Sequence, residues 1–177
     1  MGSEMCIRDS VHPNPKKYVC LNQYGNIVEY ITSENGEKTP KDLLAQPQEG
    51  LTNIAYSSSG TRLFAINEEN QLMWWKDEKE NGKNKLSREG IDKFPLYPTL
   101  NHVEGTNFDD VTVVASDTQL FVVQIGLSSK PLKIGYGPYS ILDMKVHPCN
   151  DLLLVTGENK SVLFKLQKDN RLSLIHI

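Results

Sequence analysis

The side chains able to do chemistry in this chain are few and scattered. Among 177 residues there are four histidines, at His12, His102, His147 and His176. No two of them stand at ligand spacing, and no Cys-x-x-Cys is present to hold a metal. Asp109 and Asp110 are adjacent, so on a strand their carboxylates face opposite ways and make a poor acid/base pair. Asp92, Asp143 and Asp151 stand apart from one another. The segment Gly135-Tyr136-Gly137-Pro138-Tyr139 is glycine-rich, but no helical pattern comes after it to bind a phosphate at a helix N-terminus. It is expected instead as the loop leading into an inner strand. Asn159-Lys160-Ser161 forms a glycosylation triplet, a frequent chance occurrence. The expected catalytic, cofactor-binding and metal-ligating sets are therefore empty.

Binding rather than catalysis is the remaining chemistry. Tyr136 and Tyr139, with Phe94 and Tyr97 on the preceding equivalent loop, are the candidate partner-binding residues. Aromatic side chains on a rim commonly anchor interfaces. The competing role for the same four residues is packing between sheets.

The elements that must position these residues repeat along the chain. Tyr18–Ile31, Leu63–Lys76, Val111–Gln124 and Leu153–Leu166 align without a gap, each as an apolar run, a short polar turn and a second apolar run. Asn, Gly and Asp in the turns tolerate the left-handed backbone of tight hairpins, and the flanking Val, Ile, Leu, Phe and Trp suit strands. Val11-His12-Pro13 recurs 135 positions later as Val146-His147-Pro148, three times a period of 45, which favours a structural turn role for both histidines. A further strand precedes each hairpin, at 51–56 and 141–146 with clear patterning and at about 99–104 with poor patterning. A fourth, outer strand is expected at 42–45, 85–88 and 131–134, and the charged run 76–85 as a solvated hairpin tip. A period near 45 with three to four strands per unit is the pattern of a β-propeller blade. Trp74 and Trp75 support this, because adjacent strand residues point to opposite faces and only a sheet covered on both sides buries both.

The two ends read differently. The residues at 5–10 and 172–177 can be back-translated to one reverse-complementary string, ATGTGTATAAGAGACAG, which resembles the transposase mosaic end of sequencing adapters. Residues 1–10 and 172–177 are accordingly expected to be adapter-derived tails, and 11–171 a partial propeller with blade parts at about 11–46, 51–90, 99–134 and 141–171. The expected fold is all-β: about three and a half blades of four-stranded antiparallel sheet in an open arc.

Composition narrows the function classes. Lysine and arginine number 19 and aspartate and glutamate 22; without Arg8, Glu4 and Asp9 the net charge moves from −3 to −2. No basic stripe marks a nucleic-acid surface. No apolar run approaches the roughly 18 residues a membrane helix needs, so neither nucleic acid nor membrane is an expected partner. Beyond Cys6, only Cys20 and Cys149 remain, which is no disulfide framework and makes a reducing, cytoplasmic location the default.

The units resemble degenerate WD repeats. The turn after the first strand matches at His12-Pro13, His147-Pro148 and Ser57-Ser58-Ser59-Gly60, and the repeat tryptophan matches at Trp75 alone, with Tyr30, Val123 and Lys165 at its equivalents. The aspartate after it is replaced by Ile31, Lys76, Gln124 and Leu166, so the side-chain network of regular repeats is not expected. The resemblance implies a non-enzymatic scaffold for unidentified protein partners. The alternatives are a propeller enzyme with a channel-centred site, which channel-facing Asp, Glu or His on equivalent strands would favour, and an adaptor subunit of a trafficking or ciliary assembly.

Overall fold

The computed structural model describes residues 6–44, 46–80, 83–94, 99–125, 132–136, 140–147, 151–167 and 172–175. Sixteen strands and no helix are present among them. They form four antiparallel sheets, each made of four consecutive strands paired in chain order. The first holds β1 (Cys6–Val11), β2 (Lys17–Asn22), β3 (Ile27–Thr32) and β4 (Lys38–Asp42); the second β5 (Leu51–Tyr56), β6 (Arg62–Asn67), β7 (Gln71–Glu80) and β8 (Lys83–Lys93). The third holds β9 (Leu100–Gly105), β10 (Val111–Ser116), β11 (Gln119–Gln124) and β12 (Leu132–Tyr136); the fourth β13 (Ile141–Val146), β14 (Leu152–Gly157), β15 (Ser161–Leu166) and β16 (Leu172–Ile175). The first strands of successive sheets lie side by side, β1 against β5, β5 against β9 and β9 against β13. This is the arc of a β-propeller expected from the repeat, and it does not close into a barrel.

Three cores lie between the four sheets. Val19, Leu21 and Ile27 meet Ile54, Leu63 and Trp75 in the first. Phe64, Ile66 and Trp74 meet Val103, Val114 and Val123 in the second. Val113 and Val122 meet Met144, Leu153 and Val155 in the third. The central strands β6 and β10 are buried along nearly their whole length because each inner sheet is covered on both faces.

Four details differ from the sequence expectation. Cys6–Val11 and Leu172–Ile175 occupy the inner place of the first sheet and the outer place of the last, which makes four sheets rather than three and a half. A sheet edge offers a row of unpaired backbone groups, and pairing there places little demand on side-chain identity. The hairpins do not all share one register: Lys17↔Ile31 and Arg62↔Lys76 correspond 45 positions apart, but Val111↔Gln124 and Leu152↔Lys165 belong to turns one residue shorter. The longer turns carry Gly25 at φ 78° and Asn70 at φ 57°, a left-handed residue that the extra position needs. The outer strand β4 runs over Lys38–Asp42 rather than 42–45, with Pro40 opposite Tyr30 on the edge strand, where a missing N–H is tolerated. Finally, the charged run after Trp75 is strand: β7 and β8 pair out to Glu80↔Lys83.

Sequence equivalence at the turns is functional in the structural sense. Asn22 Oδ1 accepts the N–H groups of Tyr24 and Asn26, each at 3.0 Å. Asn67, 45 positions on, does the same for Glu69 at 3.1 Å and Gln71 at 2.9 Å. Both asparagines are buried, and their side-chain oxygens satisfy two amides of each turn.

Candidate functional site at the inner strands

Each innermost strand breaks its register at the same place. The shifts fall between Cys6 and Arg8, between Leu51 and Asn53, between Leu100 and His102 and between Ile141 and Asp143. A bulge inserts one extra residue and re-aims the side chains beyond it. Buried residues therefore recur every third position, at Leu51 and Ile54, Leu100 and Val103, Ile141 and Met144. The residues between them turn away from the cores. The poorly patterned stretch at 99–104 is a strand all the same, β9, with the same bulge as its equivalents.

The re-aimed side chains surround a cavity of about 880 Å³ on the concave side of the arc. Ser10, His12, Asn53, Tyr56, His102, Glu104, Asp143 and Lys145 line it, drawn from β1, β5, β9 and β13 and the turns after them. Neighbouring sheets tie these side chains down. Asn53 Nδ2 donates to the carbonyl of Asn101 at 3.1 Å, and Ser10 Oγ accepts the N–H of Tyr56 at 3.0 Å. Asn53 and Asp143 hold equivalent poses, each accepting the next residue's N–H, from Ile54 and Met144, at 2.9 Å.

Two groups there have reactive potential. His102 Nε2 lies 3.3 Å from the carbonyl oxygen of Ile141. A carbonyl only accepts, so Nε2 is the donor in this contact. Glu104 is mostly covered, and burial pushes its carboxyl above the usual glutamate value, although Lys145 pulls the other way. Lys145 Nζ sits 2.5 Å from Glu104 Oε1, an ion pair with the lysine 68% exposed toward the cavity and the glutamate 18%. No group of three or more metal-ligating side chains occurs among the described residues.

A second polar seam runs beside the cavity between the first two sheets. Lys17 Nζ bonds Glu29 Oε1 at 2.9 Å, with Glu29 1% exposed. Tyr56 donates to Asp77 at 3.4 Å. Burial pushes both the Tyr56 phenol and the Asp77 carboxyl upward. Cys20, buried on β2, is disulfide-bonded, a cross-link that the cysteine pattern does not lead one to expect.

Of the four aromatic candidates, Phe94 is the one whose side chain is described. Phe94 is 7% exposed and packs edge to face on Phe121, with ring centroids 5.7 Å apart, in the core between the second and third sheets. It takes the packing role. Tyr136 ends β12, an outer strand rather than a loop into an inner one, and only its backbone is described. Tyr97 and Tyr139 lie outside the described residues. The cavity residues escape a reading of the sequence because their equivalence rests on bulge position. The signal available in the sequence is the cluster of polar residues on strands otherwise flanked by apolar ones.

The chain is similar to solved propeller structures. One is a candidate 6-phosphogluconolactonase from Bacteroides uniformis, at TM-score 0.69 and 11% identity, covering 98% of this chain and 54% of that one. Another is a protein from Lactobacillus plantarum, at TM-score 0.62 and 17% identity, covering 90% and 50%. The chain thus spans about half the length of the structures it matches. No protein-family model and no curated protein matches it. At these identities the likeness establishes the propeller fold and leaves the finer resemblance to WD repeats without support. The expected scaffold role is corrected: the first similar structure is a candidate enzyme, and no comparison supports a scaffold.

Proposed function

We propose that this chain forms part of a propeller hydrolase that opens a small cyclic ester, a lactone, in the cavity at the inner strands. The observation that carries this reading is the convergence of His102, Glu104, Asp143 and Lys145 from two adjacent inner strands on one cavity. The likeness to a candidate 6-phosphogluconolactonase supports the choice of substrate class. In this mechanism His102 acts as general base toward water, whose oxygen bonds to the lactone carbonyl carbon; the tetrahedral intermediate then collapses with cleavage of the ring C–O bond, and the proton held by His102 passes to the departing ring oxygen. The Lys145 ammonium, steadied by Glu104, stabilises the oxyanion as the ring opens. Asn53 and Asp143 orient the substrate's hydroxyl groups.

The test is hydrolysis of 6-phosphoglucono-lactone and glucono-lactone, measured above the spontaneous rate, by the protein that carries this chain. His102→Gln should lower kcat by about 100-fold or more, the usual contribution of a positioned base. Lys145→Met should lower kcat with a smaller change in KM. Wild-type hydrolysis no faster than the spontaneous reaction, or a His102→Gln variant equal to wild type, removes the proposal.

The adapter reading of residues 1–10 and 172–177 is a separate proposal resting on their shared reverse-complementary codons. The nucleotide sequence flanking the locus tests it: continuous coding sequence through both ends would refute it.

A further inference from the structure

The cavity at the inner strands carries more negative than positive charge. Among the described residues that line it, Lys145 is the sole lysine or arginine, and Glu104 and Asp143 are the carboxylates. The Lys145 ammonium is already engaged, 2.5 Å from Glu104 Oε1. The two histidines of the wall do not offset the acids. His12 Nδ1 accepts the Asn14 N–H at 2.9 Å, so that atom bears no proton, and His102 serves the proposed reaction as a neutral base. Among the described residues no ion pair engages Asp143.

Asp143 is placed by the bulge of β13. The register breaks between Ile141 and Asp143, and the side chain at 143 is exposed between buried Ile141 and Met144. Its Oδ1 accepts the Met144 N–H at 2.9 Å, which fixes the carboxylate on the cavity wall. Asn53 takes the same pose at the equivalent bulge of β5, accepting the Ile54 N–H at 2.9 Å. The bulge therefore accepts an amide as readily as a carboxylate, and the backbone there does not require the charge at 143.

That charge sorts ligands. A carboxylate only accepts hydrogen bonds, so it bonds the hydroxyl groups of an uncharged sugar lactone. A phosphate monoester at about pH 8 is close to a dianion, with acceptor oxygens and no proton to share. In the same cavity it meets Asp143 as a like charge, while Lys145 is held by Glu104. We propose that Asp143 is a specificity-determining residue that selects an uncharged polyhydroxy lactone over its 6-phosphorylated counterpart. The ligand class rests on the lactone reading above; the choice within that class rests on the charge of the wall.

The experiment compares two non-reacting ligands, glucitol and glucitol 6-phosphate, by amide chemical-shift titration of the protein that carries this chain, at about pH 8 and low ionic strength. Glucitol should bind about tenfold more tightly, the effect of one like charge at roughly 10 Å in a partly exposed site. Added salt should narrow the gap, because the discrimination is a repulsion that salt screens. Asp143→Asn keeps an oxygen for the Met144 N–H and should bring the affinity ratio close to one. Equal or tighter binding of glucitol 6-phosphate by the wild type, no binding of either ligand, or a ratio unmoved by Asp143→Asn overturns the proposal. A glucitol preference that Asp143→Asn abolishes, in a protein that does not hydrolyse lactones, removes the reaction proposed above and leaves the selectivity standing. Should Asp143→Asn fail to fold, the wild-type ratio and its response to salt decide.

Discussion

Trp74 and Trp75 are neighbours on β7 and lie in different cores, Trp75 between the first and second sheets and Trp74 between the second and third. One strand thereby staples three blades. The register of β7 on β8 shifts between these two residues, and Trp74 pairs with Gly90. A Cβ on Gly90 would stand 2.2 Å from Trp74 Cζ2, so the bulge and the glycine together make room for the indole.

Truncating either tryptophan should cost about 3–5 kcal/mol, as for other large buried aromatics. The location of the damage should differ. Trp75→Ala should raise amide exchange in β2 and leave β10 protected; Trp74→Ala should do the reverse. Equal loosening of both neighbours by either variant would mean that the blades do not behave as separable packed layers.

Asn70 links the second and third sheets through its left-handed turn. Its carbonyl accepts the Phe94 N–H and its Oδ1 accepts the Leu100 N–H, both at 2.9 Å. Asn70→Gly keeps the backbone conformation and leaves the buried Leu100 amide unpaired, at a cost of about 1–3 kcal/mol. Asn70→Ala adds left-handed strain of roughly 1–2 kcal/mol to that loss. Urea melts of the two variants should rank them in this order.

The Lys17–Glu29 pair is almost entirely out of water. Lys17→Met removes the ammonium and leaves the Glu29 carboxylate without it in a buried place, which should cost about 3–5 kcal/mol. The double variant Lys17→Met with Glu29→Gln should recover part of that stability. Chemical denaturation of the single and double variants measures the difference.

Glu104 predicts a pH dependence of opposite sense to a normal ion pair. Its folded value lies above the usual glutamate value because burial outweighs Lys145. A carboxyl raised in this way favours the folded state fully below its unfolded value, and that contribution is lost as pH rises through the folded one. Glu104→Gln should remove this fall in stability on the rise from acid toward neutral pH. Denaturant midpoints measured across that range should show a flatter profile for the variant.

The fold is legible where local chemistry repeats. Asn22 and Asn67 mark equivalent turns, and adjacent Trp74 and Trp75 already require a sheet covered on both faces. Outer strands are harder to place: β4 contains Pro40 and is mostly exposed, so neither propensity nor burial marks it. The distal part of β7 and β8 is charged on a solvated hairpin, where backbone pairing and not side-chain pattern defines the strand. The cavity residues are hidden for a different reason. Bulges change the burial spacing of β5, β9 and β13 from two to three, and a bulge leaves no mark in composition. Phe94 shows a further ambiguity, because an aromatic at the end of a strand reads alike whether it anchors a partner or fills a gap between blades.

The central claim is that the inner strands form the ligand-binding wall. Amide chemical-shift mapping of the protein titrated with gluconate and 6-phosphogluconate, the products of lactone opening, tests it most directly. The account predicts saturable shifts concentrated at Asn53, His102, Glu104, Asp143 and Lys145, reduced at least tenfold in affinity by Lys145→Met, with β3, β7 and β11 unmoved. Shifts confined to the outer strands, or none at millimolar ligand, would contradict it.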